Sequence, residues 1–148
     1  MNKLDYVHIN IDDYLEDNCG QFVEFLKIKE IKETISNTKK AIIIEGVCLL
    51  AVIEKLRLDL GILIYIKRTS SFGMWHDEKE CDVQIDIEEF IKNKNEDLRR
   101  FAEAEASIEG RSFDPDENFL PQLKEEIIRY HYKYKPHRKA DLIYKRVD

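Results

Sequence analysis

Residues 39–50, which read KKAIIIEGVCLL, are the stretch that decides the fold. Positions 41–44 are apolar without polar alternation, and a run of this kind is typical of a strand covered on both faces. The sequence therefore predicts a central strand of a mostly parallel sheet. Glu45 follows at the carboxyl end of this strand, which is where open α/β sheets bind their ligands. We expect the functional site near Glu45.

Two further strands are predicted, one before and one after this stretch. Residues 6–11 alternate apolar with polar side chains, which indicates a strand with one better-buried face, and residues 62–66 are again continuously apolar. Apolar residues at helical spacing fill the segments 22–35 and 47–58 between the strands. This order predicts an α/β fold with a three-layer, mostly parallel sheet and flanking helices.

Charged residues follow each predicted strand. Asp12 and Asp13 follow the first strand, Glu45 the second, and Lys67 and Arg68, which are candidates for phosphate or substrate binding, the third. Because the carboxyl ends of parallel strands meet at one edge of a sheet, we expect these side chains to share that edge. The alternative for the two aspartates is that one of them caps the turn after its strand.

The second half of the chain predicts mainly helices. Apolar residues recur every three or four positions between 85 and 107, so we expect one long helix or two stacked turns there. Arg99, Arg100 and Arg111 form a small basic cluster in this region. Arginine suits bidentate contact with phosphate, although arginines on an exposed helix commonly face water. His76 and Cys81 are metal-ligand types, but two such residues without partners favour a solvated histidine.

A last helix is predicted to begin at Pro121 and to end at Pro136, before a short strand at residues 140–144. We expect its buried side to carry Leu123, Ile127, Ile128 and either Tyr130 or His131. The alternating tyrosines from Tyr130 onward suggest a stacking surface for bases, and packing at the helix end is the alternative.

Size, charge and cysteine content limit the classes of protein. The 148 residues predict a single domain, 1–148, with residues 69–116 as a candidate lid or insert. The net charge of −6 disfavours nucleic-acid binding. Three widely spaced cysteines, Cys19, Cys48 and Cys81, favour a reducing cytoplasm over a disulfide framework or a zinc site. No apolar run reaches the ~20 residues that cross a bilayer, so we expect no membrane association.

Several of these motifs together resemble the uridine kinase and phosphoribulokinase branch of the P-loop kinases. They are residues 11–14 (IDDY), residues 44–46 (IEG), the strand that ends in Lys67 and Arg68, the arginine-bearing helix, and the late YH…KPH…ADLI stretch. The resemblance implies that Asp12 or Asp13 accepts the proton of a substrate hydroxyl and that Glu45 lies near magnesium. It also implies that Arg99, Arg100 or Arg111 closes over the transferred phosphate, with ATP and Mg²⁺ as cofactors and a nucleoside-like substrate.

The phosphate-binding loop of that family, G-x-x-x-x-G-K-[ST], does not occur in the sequence. None of the five glycines, at positions 20, 46, 61, 73 and 110, precedes a lysine. In the family this loop follows a first strand that lies ahead of the Asp-Asp strand, and only residues 1–5 precede that strand here. The chain therefore resembles such a kinase without its first strand, loop and helix.

In the family the first strand lies between the Glu-Gly strand and the Lys-Arg strand. Its loss would leave backbone groups of two strands unpaired. Either those strands pair directly, or a second chain supplies a strand, or an N-terminal piece precedes Met1. We expect a dimer or an unusually closed sheet. The functional alternatives are an incomplete or impaired kinase and a non-catalytic module that dimerises or joins a partner through the crevice or the sheet edges.

Overall fold

The computed structural model describes residues 5–16, 22–115 and 117–147. Cys19, and with it any role for that cysteine, lies outside the described residues. The described chain is mixed α/β. Its elements are β1 (Tyr6–Asn10), α1 (Ile28–Ser36), β2 (Ala41–Glu45), α2 (Leu49–Leu56), β3 (Ile64–Thr69), α3 (Glu78–Cys81), α4 (Ile87–Glu109), α5 (Gln122–Tyr134), α6 (Pro136–Lys139) and β4 (Leu142–Val147), with 3-10 turns at Ile11–Tyr14 and Val23–Phe25.

The chain divides into two compact units, Met1–Lys67 with Pro136–Arg146 and Arg68–Lys135 with Val147–Asp148. The first unit contains β1, β2, most of β3 and most of β4, together with α1, α2 and α6. The second unit contains α3, α4 and α5. No helix in the described part of the chain is both long and apolar enough to cross a membrane.

The first sheet pairs β1 with β2 in parallel, as the sequence predicts. The register runs from Tyr6 opposite Ala41 to Asn10 opposite Glu45. Because side chains alternate along a strand, this register divides the pair into two faces. One face carries Ile9, which is 2% exposed, opposite the partly buried Ile44.

The other face of this sheet is open, so the prediction of a strand covered on both faces is wrong. Ala41, Ile43 and Glu45 are exposed, and Ile43 retains 48% of its surface. Helices α1 and α2 contact each other and bury, among other side chains, Ile31 of α1 and Val52 of α2. An uninterrupted apolar run indicates that burial on both faces is favourable, but it does not supply the second covering layer.

The second sheet pairs β3 with β4. The Leu63 carbonyl accepts hydrogen bonds from the Asp141 and Leu142 amides at 2.9 and 3.2 Å, and the Leu63 amide donates to Asp141 Oδ2 at 2.8 Å. The two strands therefore begin side by side and run parallel. All six residues of β4 are exposed, and Ile66 of β3 is 59% exposed.

Strands β2 and β3 do not pair with each other in the described residues, so they do not join the two sheets. Within residues 5–16, 22–115 and 117–147, β2 pairs with β1 and β3 pairs with β4. The expectation of one continuous three-layer sheet is therefore not met, and neither is the expectation that the sheet closes by direct pairing of β2 with β3. In addition, β3 extends to Thr69, so Lys67 and Arg68 lie within the strand and not beyond its end.

The second unit contains the long helix α4, so the first of the two predicted alternatives, one long helix, is confirmed. Asp86 begins it by accepting hydrogen bonds from the Glu88 and Glu89 amides at 3.0 and 3.1 Å, and Gly110 ends it at φ 65°. Both are common helix boundaries, because an aspartate oxygen satisfies free amides and glycine adopts positive φ without strain. A buried cluster of Val83, Leu120 and Ile128 packs against apolar side chains of this helix.

The predicted last helix is confirmed as α5, with Pro121 at its N-terminal boundary. Ile128, Tyr130 and His131 are buried, whereas Leu123 is 42% exposed, so its predicted burial is wrong. The Tyr130 ring lies 5.2 Å from the Tyr134 ring and 5.1 Å from the His131 ring. These contacts support helix-end packing as the role of the alternating aromatic residues.

We expect Gly46→Ala to destabilise the protein by about 1–3 kcal/mol, because an added Cβ meets a packed side chain. A Cβ on Gly46 would lie 2.8 Å from Ile11 Cβ, and the φ of Gly46 is 155°. Gly61→Ala is the matched control, since a Cβ at Gly61 meets nothing within 4 Å. Urea denaturation measures both variants, and equal stability of the two would contradict the close approach.

We expect Asn95→Ala to cost about 1–3 kcal/mol, because it leaves the partly buried Phe119 amide without an acceptor and leaves the Leu120 amide with only its longer bond to Asn118 Oδ1, at 3.3 Å. Asn95 Oδ1 accepts from the Phe119 and Leu120 amides at 2.8 and 2.9 Å. Asn93→Ala on the same helix is the control, because Asn93 is exposed and the change in helix propensity is the same. If the unfolding free energies of the two variants match, the hydrogen bonds from Asn95 to residues 119–120 do not stabilise the fold.

Candidate functional site

Three acidic residues that the sequence predicts as site residues lie at one edge of the first sheet, beside the carboxyl ends of β1 and β2. Glu45 is the last residue of β2 and lies opposite Asn10, the last residue of β1. Asp12 and Asp13 follow in the 3-10 turn Ile11–Tyr14. The parallel pairing therefore places the turn and Glu45 side by side, and we call Asp12, Asp13 and Glu45 the acidic rim.

Asn10 caps the turn that carries the two aspartates. Its Oδ1 accepts a hydrogen bond from the Asp12 amide at 3.2 Å, so neither aspartate is the capping residue. Both aspartates are exposed, and the described structure gives their carboxylates no hydrogen bond or ion pair. Exposed carboxylates without a partner are available to a ligand.

Gly46 and Ile11 hold the two halves of the acidic rim together. Ile11 is fully buried, and the backbone of Gly46 approaches it so closely that a Cβ would overlap the Ile11 side chain. Glycine is needed at this position because it has no side chain and adopts the observed positive φ. The Glu-Gly sequence thus sets the distance between the end of β2 and the Asp-Asp turn.

His8 belongs to this site, although sequence reasoning did not identify it. Its Nε2 lies 2.9 Å from Glu45 Oε1, and about half of each side chain is exposed. In the parallel register His8 lies opposite Ile43, one pair away from Glu45 on the open face. The alternation of β1 places His8 and Asn10 on one face, but only the register shows that Glu45 shares it.

The predicted phosphate-binding cations are engaged elsewhere. Arg68 NH2 lies 3.1 Å from Asp77 Oδ1, and Lys67 lies on the opposite face of β3. Each arginine of the helical cluster has a glutamate within 4.0 Å: Arg99 with Glu103, Arg100 with Glu96 and Arg111 with Glu109. The acidic rim lies in the first unit, whereas the arginines lie in the second. These pairs agree with the interpretation that the arginines form a solvated helix face.

The described residues do not build a metal site. No group of three or more histidine, cysteine, aspartate or glutamate side chains is gathered closely enough to hold an ion in the described ranges. Cys81 is a buried thiol outside any disulfide, and His76 is exposed. The acidic rim would therefore need further ligands from a substrate or from water to hold magnesium.

A cavity of about 590 Å³ lies in the second unit among α3, α4 and α5, and Trp75, Phe90 and Glu80 contribute to its wall. Glu80 is its best-anchored acid, because it accepts from Lys94 at 2.9 Å and also pairs with Lys124. Partial burial raises the pKa of Glu80, but hydrogen bonds and charge from Lys124 and Lys94 outweigh it, so the pKa is below the usual 4.5.

No protein-family model, curated protein or solved structure matches this chain.

We expect Glu80→Gln to lower the free energy of unfolding at neutral pH, because two lysines lose their shared carboxylate. Since the folded pKa lies below 4.5, the ion pairs contribute stability above pH 4.5 and lose it as the pH falls through the folded pKa. The difference in unfolding free energy between wild type and Glu80→Gln should therefore become smaller at acidic pH. Glu78→Gln, an exposed change on the same helix, is the control for urea denaturation. A difference that is independent of pH would contradict this role.

Proposed function

We propose that this chain is a kinase-like protein of the uridine kinase type that carries the hydroxyl-substrate side of a phosphotransfer site and is incomplete as a catalyst by itself. One observation carries the proposal: the register that sets Asn10 opposite Glu45 gathers Asp12, Asp13 and Glu45 on one rim. The motifs Ile-Asp-Asp-Tyr and Ile-Glu-Gly, which the sequence resemblance rests on, thereby come together in space.

The acidic rim suits recognition of a substrate hydroxyl. Asp12 and Asp13 present exposed carboxylates, which accept hydrogen bonds and, in a reaction, a proton. Glu45 is oriented by His8, so a donor that approaches the rim meets a positioned carboxylate. A nucleoside such as uridine presents vicinal hydroxyls that match neighbouring carboxylate acceptors.

The phosphate side of such a site is not built from the described residues. Phosphoryl transfer depends on a cradle for the phosphates, a metal ion and cations that neutralise developing charge. The sequence holds no G-x-x-x-x-G-K-[ST] segment, the described residues gather no metal site, and Arg99, Arg100 and Arg111 are paired with glutamates. The described residues therefore do not fit ATP and Mg²⁺ by themselves.

The finer fold that we propose is a three-layer sheet interrupted between β2 and β3. Residues 41–44 of β2 and the first three residues of β3 are continuously apolar, yet Ile43, Ile64 and Ile66 are each about half exposed. Isolated two-stranded sheets are marginal in water, and parallel sheets are normally covered on both faces. These strands therefore have the composition of interior strands in a larger sheet.

A second candidate function is a non-catalytic module that binds a partner through its open strands. The exposed isoleucines of β2 and β3 and the exposed side chains of β4 favour it, because exposed apolar strands with free edges are sites of strand addition. The acidic total charge disfavours oligonucleotide binding.

We expect uridine to bind weakly at the acidic rim. In a ¹H–¹⁵N NMR titration, the amides of Asp12, Asp13 and Glu45 should shift together, and the double variant Asp12→Asn/Asp13→Asn should lose the shifts. Asp114→Asn, an exposed aspartate of the second unit, is the control. Shifts that are absent, or that persist in the double variant, would count against the rim as the substrate side.

Calorimetric titration with Mg-ATP tests the incompleteness of the site. We expect no saturable heat, because the phosphate cradle and its lysine supply most of the affinity for ATP in such enzymes. Saturable binding that Glu45→Ala abolishes would show that the chain builds a complete nucleotide site.

A further inference from the structure

We propose that the open edge of β2 pairs with the same strand of a second copy of this chain, antiparallel and centred on Ile43. The resulting dimer has a continuous four-stranded sheet, in the order β1, β2, β2 of the partner and β1 of the partner. This inference extends the second candidate function and names its partner. It does not depend on nucleotide or substrate binding.

The first observation is the unpaired edge of β2. In the part of the chain that the structure describes, the strand ladder of residues 41–45 runs to β1 alone, and no other backbone hydrogen bond to these residues is present. A strand edge leaves amides and carbonyls free to pair with another strand, and proteins commonly block such edges with charges, bulges or proline. The central residues of β2 are isoleucines, which do not block pairing.

The second observation is that β2 is complementary to itself when it is reversed. Lys39 and Lys40 precede its apolar centre, and Glu45 ends it. Lys40 is already bound to Asp5 at 2.9 Å, whereas Lys39 is exposed and has no hydrogen bond or ion pair within the described ranges. One end of the strand therefore offers a free cation and the other end a carboxylate.

Antiparallel pairing centred on Ile43 uses both features. It sets Ile43 opposite its own copy and Ala41 opposite the other copy's Glu45, so that Lys39 lies on the diagonal next to that Glu45. Diagonal neighbours on one face are within reach of long side chains. Because a two-fold axis repeats every contact, the dimer gains this ion pair twice.

The apolar side chains fit the same arrangement. Ile43, which is 48% exposed on the open face, meets its symmetry copy at the two-fold axis. On the opposite face, Ile42 of each copy lies across from Ile44 of the other copy, so this contact occurs twice. A parallel arrangement of two β2 strands would instead place Glu45 beside Glu45 and Lys39 beside Lys39, which is unfavourable. Charge complementarity thus selects both the partner and the direction of the strand.

Sedimentation equilibrium over a range of protein concentrations tests the dimer. We expect the mass to rise from the 17.6 kDa of the chain toward twice that value. Lys39→Glu and Glu45→Lys should each weaken dimerisation on the order of tenfold, and the double variant should restore it, because the pair is exchanged. Lys92→Glu, an exposed change on α4, has the same effect on net charge as Lys39→Glu and should leave the equilibrium unchanged.

A cysteine at the two-fold axis tests the register. In an antiparallel pair, opposite residues have Cα atoms roughly 4.5–5.5 Å apart, which is within the range of a disulfide. Ile43→Cys should therefore form a disulfide-linked dimer under mild oxidation. Tyr6→Cys, equally exposed but on the outer strand β1, is the control and should remain uncrosslinked.

The outcomes separate this proposal from the proposed function. A chain that stays monomeric at every soluble concentration overturns the dimer, whatever uridine does. A dimer that is insensitive to the charge exchange and is not trapped by Ile43→Cys overturns the β2 edge as its interface. Circular dichroism of each variant confirms that a loss of dimer is not a loss of fold, and the charge-exchange double variant supplies a positive result that an unfolded chain would not give.

Discussion

The parallel register between β1 and β2 is the constraint on which the candidate site depends. With Asn10 opposite Glu45, the Asp-Asp turn and the end of β2 lie at one edge, and His8 reaches Glu45 across the open face. A slip of one residue would turn Glu45 to the buried face and separate it from His8. Gly46 helps to fix the arrangement, because its close contact with Ile11 leaves no space for a side chain.

The exposed apolar side chains on the strands of the first unit are energetically unfavourable in water. The cost of leaving isoleucines in water is roughly proportional to the apolar area that stays exposed. Two short two-stranded sheets recover little of that area. This imbalance motivates both proposals, the larger sheet in which β2 and β3 would be interior strands and the pairing of β2 with a second copy.

The sequence predicted the local structure well because its signals are local. The helix that became α4 has a long apolar periodicity, an aspartate before it and a glycine after it. The parallel pairing of β1 with β2 was predictable from two strand patterns, one alternating and one continuously apolar, on either side of a helical segment. Leu123 fits the helical period but lies near the start of α5, where it stays exposed.

The long-range features were not predictable in the same way. An apolar run indicates that burial of its side chains is favourable, but it does not indicate which segment covers them. The division into two sheets therefore could not be predicted from residues 41–44 or 62–66. The place of His8 in the site could not be predicted from the alternation of β1 alone, because its proximity to Glu45 depends on the register between β1 and β2. The pairing of Arg99 and Arg100 did have a local signal, because Glu103 and Glu96 lie four residues away on the same helix.

Interstrand NOEs between β1 and β2 in solution test the central claim most directly. We expect contacts that place His8 beside Ile43 and Asn10 beside Glu45 in a parallel ladder. Contacts that pair Asn10 with Ile44 or Gly46, or that run antiparallel, would contradict the acidic rim and the function proposed for it.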